Sequence, residues 1–323
     1  MSVGPDPRGD AQAATATGPR DRVFAGKPAG IAASGSRATV LPPGPGTRDT
    51  AGAARIEAAF DGAAALGRIA LIPYVVAGYP DDRTSEAVAL AAIDNGADLL
   101  EMGLPYSDPL ADGTTLQRAS AAALRAGATF ARSLALVGRV HAARPSVPIV
   151  PMAYVNQVIG GGDPAPPLGR LVDAGASGLI LADLTPDEGA PVEEAARAVG
   201  LALVYLVTPT TPAARRAAIA ERSGGFLYVV SLVGVTGARA ALPAEVGRFV
   251  RGVRGVSPVP VAVGFGVSRA AHVRRLARVA DGVIVASALV DALGPDGREV
   301  ATMGRLVAAL RSGTGRPGWT PPS

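Results

Sequence analysis

The segment Gly96-Ala-Asp-Leu-Leu-Glu-Met-Gly-Leu-Pro-Tyr-Ser-Asp-Pro-Leu-Ala-Asp-Gly-Thr-Thr-Leu-Gln-Arg-Ala119 decides how the rest of the chain is read. A short strand-like run, Ala97 to Leu100, leads into Glu101. Turn-forming residues then carry Asp108 and Asp112, and from about Thr114 Ala and Leu recur at helical spacing. Strand, loop and helix in that order make one βα unit, with a carboxylate at the C-terminal end of its strand. A charge there is costly unless it is paired or used. Taken alone, Glu101 reads as an ion-paired strand end and the aspartates as turn or cap residues. The competing reading is that the acids carry out proton chemistry.

The same unit recurs along the chain. Apolar runs at Ile69–Val76, Asp98–Met102, Pro148–Met152, Gly178–Ala182, Ala202–Leu206, Phe226–Val230, Val259–Val263 and Gly282–Val285 predict eight strands. Helical patterns fall at Ser85–Asp94, Thr115–Ala126, Leu168–Ala174, Val192–Val199, Pro212–Arg222, Pro243–Val253, Arg269–Arg278 and Met303–Arg311. Strands that read as continuous apolar runs, separated by helices, indicate a parallel sheet covered on both faces. Eight such units over about 250 residues predict an α/β fold of the (β/α)₈ barrel type. An open doubly wound sheet fits less well, because the first turn, Gly78-Tyr-Pro-Asp81, is no G-x-G-x-x-G. Ala54 to Leu66 predicts a short amphipathic helix capping the bottom of the barrel. Residues 1–50, rich in Gly, Pro, Ala, Thr and Arg, read as a disordered extension, residues 51–312 as the catalytic barrel, and residues 313–323 as a disordered tail.

Composition narrows the chemistry. The 323 residues are 48% hydrophobic, enough for one large core, and no apolar run reaches the roughly 18 residues of a membrane helix. There is no cysteine and no signal-peptide h-region, which fits a soluble, cytoplasmic protein. Lys27 is the only lysine and sits in the N-terminal extension, so the barrel has no amine for a Schiff base. His141 and His272 lie in helix-like stretches away from the strand ends, so no His/Cys metal site is expected. Arg269, Arg274, Arg275 and Arg278 cluster on one helix, but with aromatics at 4% they read as a solvated face rather than a nucleic-acid surface. Acid–base work therefore falls to carboxylates and tyrosines.

A barrel of this type places its site at the C-terminal strand ends. There stand Tyr74, Glu101, Tyr154 and Asn156, Asp183, and Tyr228 with Ser231. The last three loops are glycine-rich or open a helix: Gly234-Val-Thr-Gly237, Gly264-Phe-Gly266 and Ala286-Ser287. Glycines let backbone N–H groups approach an anion, and a helix start adds partial positive charge, so these loops together predict a phosphate cradle.

The words Ile72-Pro-Tyr-Val-Val-Ala-Gly-Tyr-Pro80, Glu101 to Gly113, Leu181-Ala-Asp-Leu184, Ser231-Leu-Val-Gly-Val-Thr-Gly237 and Gly264-Phe-Gly-Val267 closely resemble the signatures of the tryptophan synthase α subunit family, over roughly Ala54 to Leu293. Thr114, Leu232 and Ala286 depart from the family's usual proline, arginine and glycine. The resemblance implies a lyase that splits indole-3-glycerol phosphate into indole and glyceraldehyde 3-phosphate in tryptophan biosynthesis. It implies Glu101 as the general acid/base and Asp112 as the carboxylate that holds the indole N–H. Tyr74, Leu116, Met152, Tyr154, Tyr228 and Phe265 would line the substrate pocket, and Gly237, Gly264, Gly266, Ala286 and Ser287 the phosphate site. No metal or cofactor is implied in this chain; pyridoxal phosphate is expected only on a partner β subunit, in an α2β2 complex. A stand-alone lyase releasing free indole, and a weakly active regulatory partner of a β subunit, are the alternatives. Another phosphosugar isomerase on the same fold would not account for the Glu101 to Gly113 words.

Overall fold

A computed structural model of the chain describes residue 41 and residues 44–230, 244–264 and 266–319. Nine strands are found among the described residues: β1 (Ala70–Val76), β2 (Leu100–Gly103), β3 (Ile149–Ala153), β4 (Gly178–Leu181), β5 (Ala202–Val204), β6 (Leu206–Val207), β7 (Leu227–Val230), β8 (Val261–Gly264) and β9 (Gly282–Val285). All pair in parallel, in the order β5-β4-β3-β2-β1-β9-β8-β7-β6. β5 and β6 are separated by Tyr205 alone, and one pairs with β4 and the other with β7. They are two halves of one broken strand, so the expected eight positions stand and the sheet curls into a barrel with helices outside.

Side chains alternate across the barrel wall, as a strand requires. Leu71 and Val75 pack outward under the helices, while Ile72 points inward with Leu99, Val150, Ile180, Val204, Phe226 and Ile284. The helix Ala51–Ala65 closes the lower end, as the sequence predicts. Thr50 caps it, its side chain accepting the Ala53 N–H, and Ile56 and Phe60, one turn apart, point into the barrel. Gly178 and Gly282, the first residues of β4 and β9, lie against these two side chains; a Cβ at Gly282 would come within 2.7 Å of the Phe60 ring. The helix therefore sits at the N-terminal strand ends, and burying its Ile and Phe contributes about 1.5–3 kcal/mol each.

The predicted helices are found, each shifted by a few residues at one or both ends. Two helices were not foreseen: the single turn Val155–Val158 after β3, and Phe130–Ala143, which follows Thr114–Arg125 within the same β2–β3 connection. Thr129 caps it by accepting the Arg132 N–H, and Leu134, Val137 and Val140 bury one face. No helix among the described residues is long and apolar enough to cross a membrane.

Residues on either side of 51–312 also pack against the barrel where they are described. Leu41 and Thr47 are buried, the Gly46 N–H donates to Glu193 Oε2 at 3.0 Å, and Thr47 Oγ1 accepts the Leu203 N–H at 2.8 Å. The packed region thus begins before residue 51. Beyond residue 312, Thr314 is buried, its carbonyl accepts the Ile69 N–H, and Arg316 pairs with Asp281 at 2.9 Å. These ends dock through polar groups, which an apolar pattern does not reveal.

The break in the strand is filled by side chains from the neighbouring helices, next to the point where Thr47 meets Leu203. The Tyr205 N–H donates to Ser223 Oγ (3.0 Å), and Ser223 Oγ donates to the Phe226 carbonyl (2.6 Å). Tyr205 Oη and Arg222 Nε both donate to the fully buried Glu193, at 2.6 and 2.7 Å. Here side chains do the work of a sheet ladder.

Candidate active site

β2 delivers Glu101 to the inner wall of the barrel, in register with Tyr74 on β1 and Val150 on β3. The residue is 1% exposed, and neither carboxylate oxygen has a hydrogen-bond partner. The reading of Glu101 as an ion-paired strand end is therefore overturned. Burial pushes its carboxyl up to about 8, with the charge of Asp112 adding to the effect. At neutral pH Glu101 is an acid holding its proton.

Asp112 ends the loop after β2, just before the helix Thr114–Arg125. It is partly exposed, and burial raises its carboxyl to about 6, so it is mostly ionised at neutral pH. Two neighbouring carboxyls thus titrate on opposite sides of neutrality, the arrangement that assigns one as acid and the other as anion. The loop backbone is pinned by the Asp112 N–H donating to the Pro109 carbonyl (3.0 Å) and by Gln117 Nε2 donating to the Asp112 carbonyl (2.9 Å). Asp108 faces outward, with Ser107 donating to it.

Tyr74 and Tyr228 flank the acids. Both phenols are buried and held well above their ordinary range by burial; next in size come Asp112 for Tyr74 and Glu101 for Tyr228. Both stay neutral and can donate. Each occupies space that only a glycine leaves free: a Cβ at Gly103 would sit 1.8 Å from Tyr74 Oη, and one at Gly264 2.7 Å from Tyr228 Oη. Gly103 is a site-shaping residue that the sequence reading passed over. Its signal was present, two residues after Glu101 on the same face of the strand.

Tyr154 follows β3; its hydroxyl accepts the Ala111 N–H at 3.0 Å, and its phenol is pushed up to about 12, mainly by burial. Tyr106 stacks on it at 4.9 Å and was not singled out from the sequence. Together with Asp108, Leu110, Ala111, Ala182 and Asp183 they line an open cleft of about 390 Å³ beside the acids. Met152 is half-buried, touching the inner and outer cores, and Leu116 is buried in the first turn of its helix.

On the opposite side, Gly264 ends β8 and Gly266 follows with φ +34°, in the region that favours glycine. Ser287 opens the helix Ser287–Ala292 after β9, capped by Ala286 with no side-chain acceptor, and Ala286 is half-buried against the core. Gly237 and Phe265 lie outside the described residues, as do Ser231, Leu232 and Thr236. Of the expected site residues, Glu101, Asp112, Tyr74, Tyr154 and Tyr228 are close enough to perturb one another's charge. Among the described residues, no group of three or more His, Cys, Asp or Glu could hold a metal ion.

Comparison with known proteins gives one answer. The family model "Tryptophan synthase alpha chain" matches residues 60–312. The chain is 44% identical to the tryptophan synthase alpha chain of Roseiflexus sp. over 263 residues, covering 80% of this chain and 99% of the relative. It is 43% identical to that of Deinococcus radiodurans, covering 82% and 97%. A solved Mycobacterium tuberculosis tryptophan synthase superposes with a TM-score of 0.74 at 40% identity, covering 82% of this chain and 99% of that one. A buried proton-bearing glutamate beside an ionised aspartate on a (β/α)₈ barrel, with a family match spanning that barrel, leads to one conclusion: this chain belongs to the tryptophan synthase alpha chain family.

Proposed function

We propose that the chain carries out the family's α reaction, cleaving indole-3-glycerol phosphate to indole and glyceraldehyde 3-phosphate, with Glu101 as the proton carrier. The observation that supports this role is a fully buried, partnerless carboxyl that keeps its proton at neutral pH. Glu101 gives that proton to indole C3, and the ring nitrogen becomes positive. Asp112, ionised, accepts the N–H hydrogen bond and stabilises that charge. The bond between C3 and the glycerol chain then breaks, its electron pair returning to the ring. The adjacent hydroxyl loses its proton to the Glu101 carboxylate as the aldehyde forms, so the enzyme ends as it began. Tyr74 and Tyr228, neutral donors, face the reacting chain, and Leu116, Met152, Tyr154 and Phe265 hold the ring.

The phosphate would rest on the backbone of Gly237, Gly264, Gly266, Ala286 and Ser287, where glycines and a helix start present N–H groups. The partner is a β subunit, in an α2β2 assembly in the cytoplasm, and pyridoxal phosphate belongs to that partner. A β subunit that favours the ordered loop after β2 raises the fraction of chains with Asp112 in place, and each tenfold gain in rate needs only about 1.4 kcal/mol of differential binding. The test is indole release from indole-3-glycerol phosphate, titrated with β subunit. Slow release that rises on titration is expected. Full activity at zero β subunit would assign a stand-alone lyase, and no release at any ratio would remove the catalytic reading.

A further inference from the structure

Two loops meet beside the acids, and only one carries a carboxylate of the reaction. The segment after β3, Tyr154 and the short helix Val155–Val158 that it caps, touches the loop after β2 at three points. Gln157 Nε2 donates to the Pro105 carbonyl at 2.8 Å, Tyr154 stacks on Tyr106 at 4.9 Å and 23°, and Tyr154 Oη accepts the Ala111 N–H at 3.0 Å. Asn156 Nδ2 reaches Tyr106 Oη at 3.4 Å. The segment after β3 is itself tied to the next loop, because the Val155 N–H donates to Asp183 Oδ1 at 2.8 Å. Between Pro105 and Asp112 the loop after β2 is otherwise held by two short backbone bonds, Leu110 N–H to the Asp108 carbonyl and Asp112 N–H to the Pro109 carbonyl, by Gln117 Nε2 on the Asp112 carbonyl from the following helix, and by the exposed Ser107–Asp108 pair. Leu110 at its tip is 92% exposed and contributes no packing.

We infer that Tyr154 is the positioning residue for Asp112: its hydroxyl holds the N–H of Ala111, the residue before Asp112, and so sets where, and in what surroundings, that carboxylate sits. The inference rests on the role given to Asp112 in the proposed function. Both faces of Tyr154 matter, the ring through Tyr106 and the oxygen through Ala111. The Ala111 N–H is tied through Tyr154 to the end of β3, and a shift of about 1 Å in a catalytic group can cost on the order of 10²-fold in rate. Water reaches Asp112 more freely once that bond is lost. The titratable groups facing Asp112 are Glu101 on β2, Tyr74 on β1, Tyr154 after β3 and Tyr228 on β7, and the three phenols stay neutral throughout the range of interest.

Tyr154→Phe keeps the ring and its stack while deleting the acceptor. Indole release by the α–β complex is measured across pH for wild type, Tyr154→Phe, Asp112→Asn and the double variant. We expect Tyr154→Phe to lower kcat by about 10- to 100-fold with little change in KM. We also expect the acid limb of its profile, near 6 in the wild type, to move toward the ordinary carboxylate value. In the Asp112→Asn background the substitution should cost almost nothing more, since the group it positions is gone. A Tyr154→Phe enzyme with an unmoved acid limb, or a loss that multiplies fully with that of Asp112→Asn, would show Tyr154 to be pocket wall alone. If Asp112→Asn itself retains wild-type activity, the failure lies with the role of Asp112 and not with its positioning.

Discussion

Glu101→Gln should make the protein's stability less sensitive to pH as well as removing its chemistry. In the unfolded chain the Glu101 carboxyl titrates near 4.5, and in the folded barrel near 8. Below 4.5 both states hold the proton, and burial carries no ionisation cost. Between the two values the unfolded chain releases its proton while the folded chain retains it, so the folded state binds more protons and loses stability as pH rises. Above about 8 both are ionised and the penalty is constant. Integrated from pH 5.5 to 7.5, the loss is about 2–3 kcal/mol for this one side chain. Glutamine has no proton to lose. The stability gap between variant and wild type should therefore widen in the variant's favour by about 2–3 kcal/mol over that interval, or about 5–10 °C of melting temperature for a barrel of this size. Comparing the two pH values cancels the unmet hydrogen bonds of the buried amide, which are the same at both. Paired thermal melts at fixed ionic strength measure it. A gap equal at pH 5.5 and 7.5 would mean that Glu101 does not enter the fold as a protonated acid, and its role as proton donor would fall with it.

Three further outcomes follow from the geometry. Because the reaction needs Glu101 protonated and Asp112 ionised, kcat/KM for indole release should be bell-shaped with limbs near 6 and 8; a flat profile over that range refutes the pairing. Thr47→Val leaves the buried Leu203 N–H without its acceptor and should lower stability by about 1–3 kcal/mol in urea unfolding; an unchanged midpoint would mean the staple carries no weight. Gly264→Ala presses a methyl against the Tyr228 ring, so it should cost about 1–3 kcal/mol and depress kcat/KM, and wild-type kinetics would show that the ring has room to move.

The parts of the fold that could be read in the sequence are those governed by local pattern. Strands buried on both faces, such as Leu71 to Val76 and Val261 to Val263, are plain apolar runs, and the eight-fold alternation followed from them. Glu101 and Asp112 were singled out through the resemblance of the Glu101 to Gly113 words to a known family; taken alone they read as an ion-paired strand end and a turn or cap residue. Other features depend on contacts that spacing does not encode. Gly103 and Gly264 make room for phenols arriving from neighbouring strands. Ala202 to Leu206 reads as one continuous strand although the ladder breaks at Tyr205. The segment Gly44 to Thr50 has no apolar period, yet it docks by a threonine hydroxyl and a backbone N–H. Phe130–Ala143 is different, since its Thr129 cap and apolar spacing were visible and the short gap after Ala126 concealed them.

The staple at the broken strand has a consequence for the order in which the molecule assembles. Thr47 meets Leu203 across 156 residues of sequence, whereas, with β5 and β6 taken as one strand and apart from the closing β1–β9 pair, each strand pairs with its successor. On a growing chain, residue 47 leaves the ribosome long before Leu203 and Ser223 exist, and it waits with nothing to hold. Loop closure on that scale comes late, after the local units have formed. The row of neighbouring units becomes a ring only when β1 meets β9, and one threonine from far upstream fastens the fifth strand only after that strand has been made.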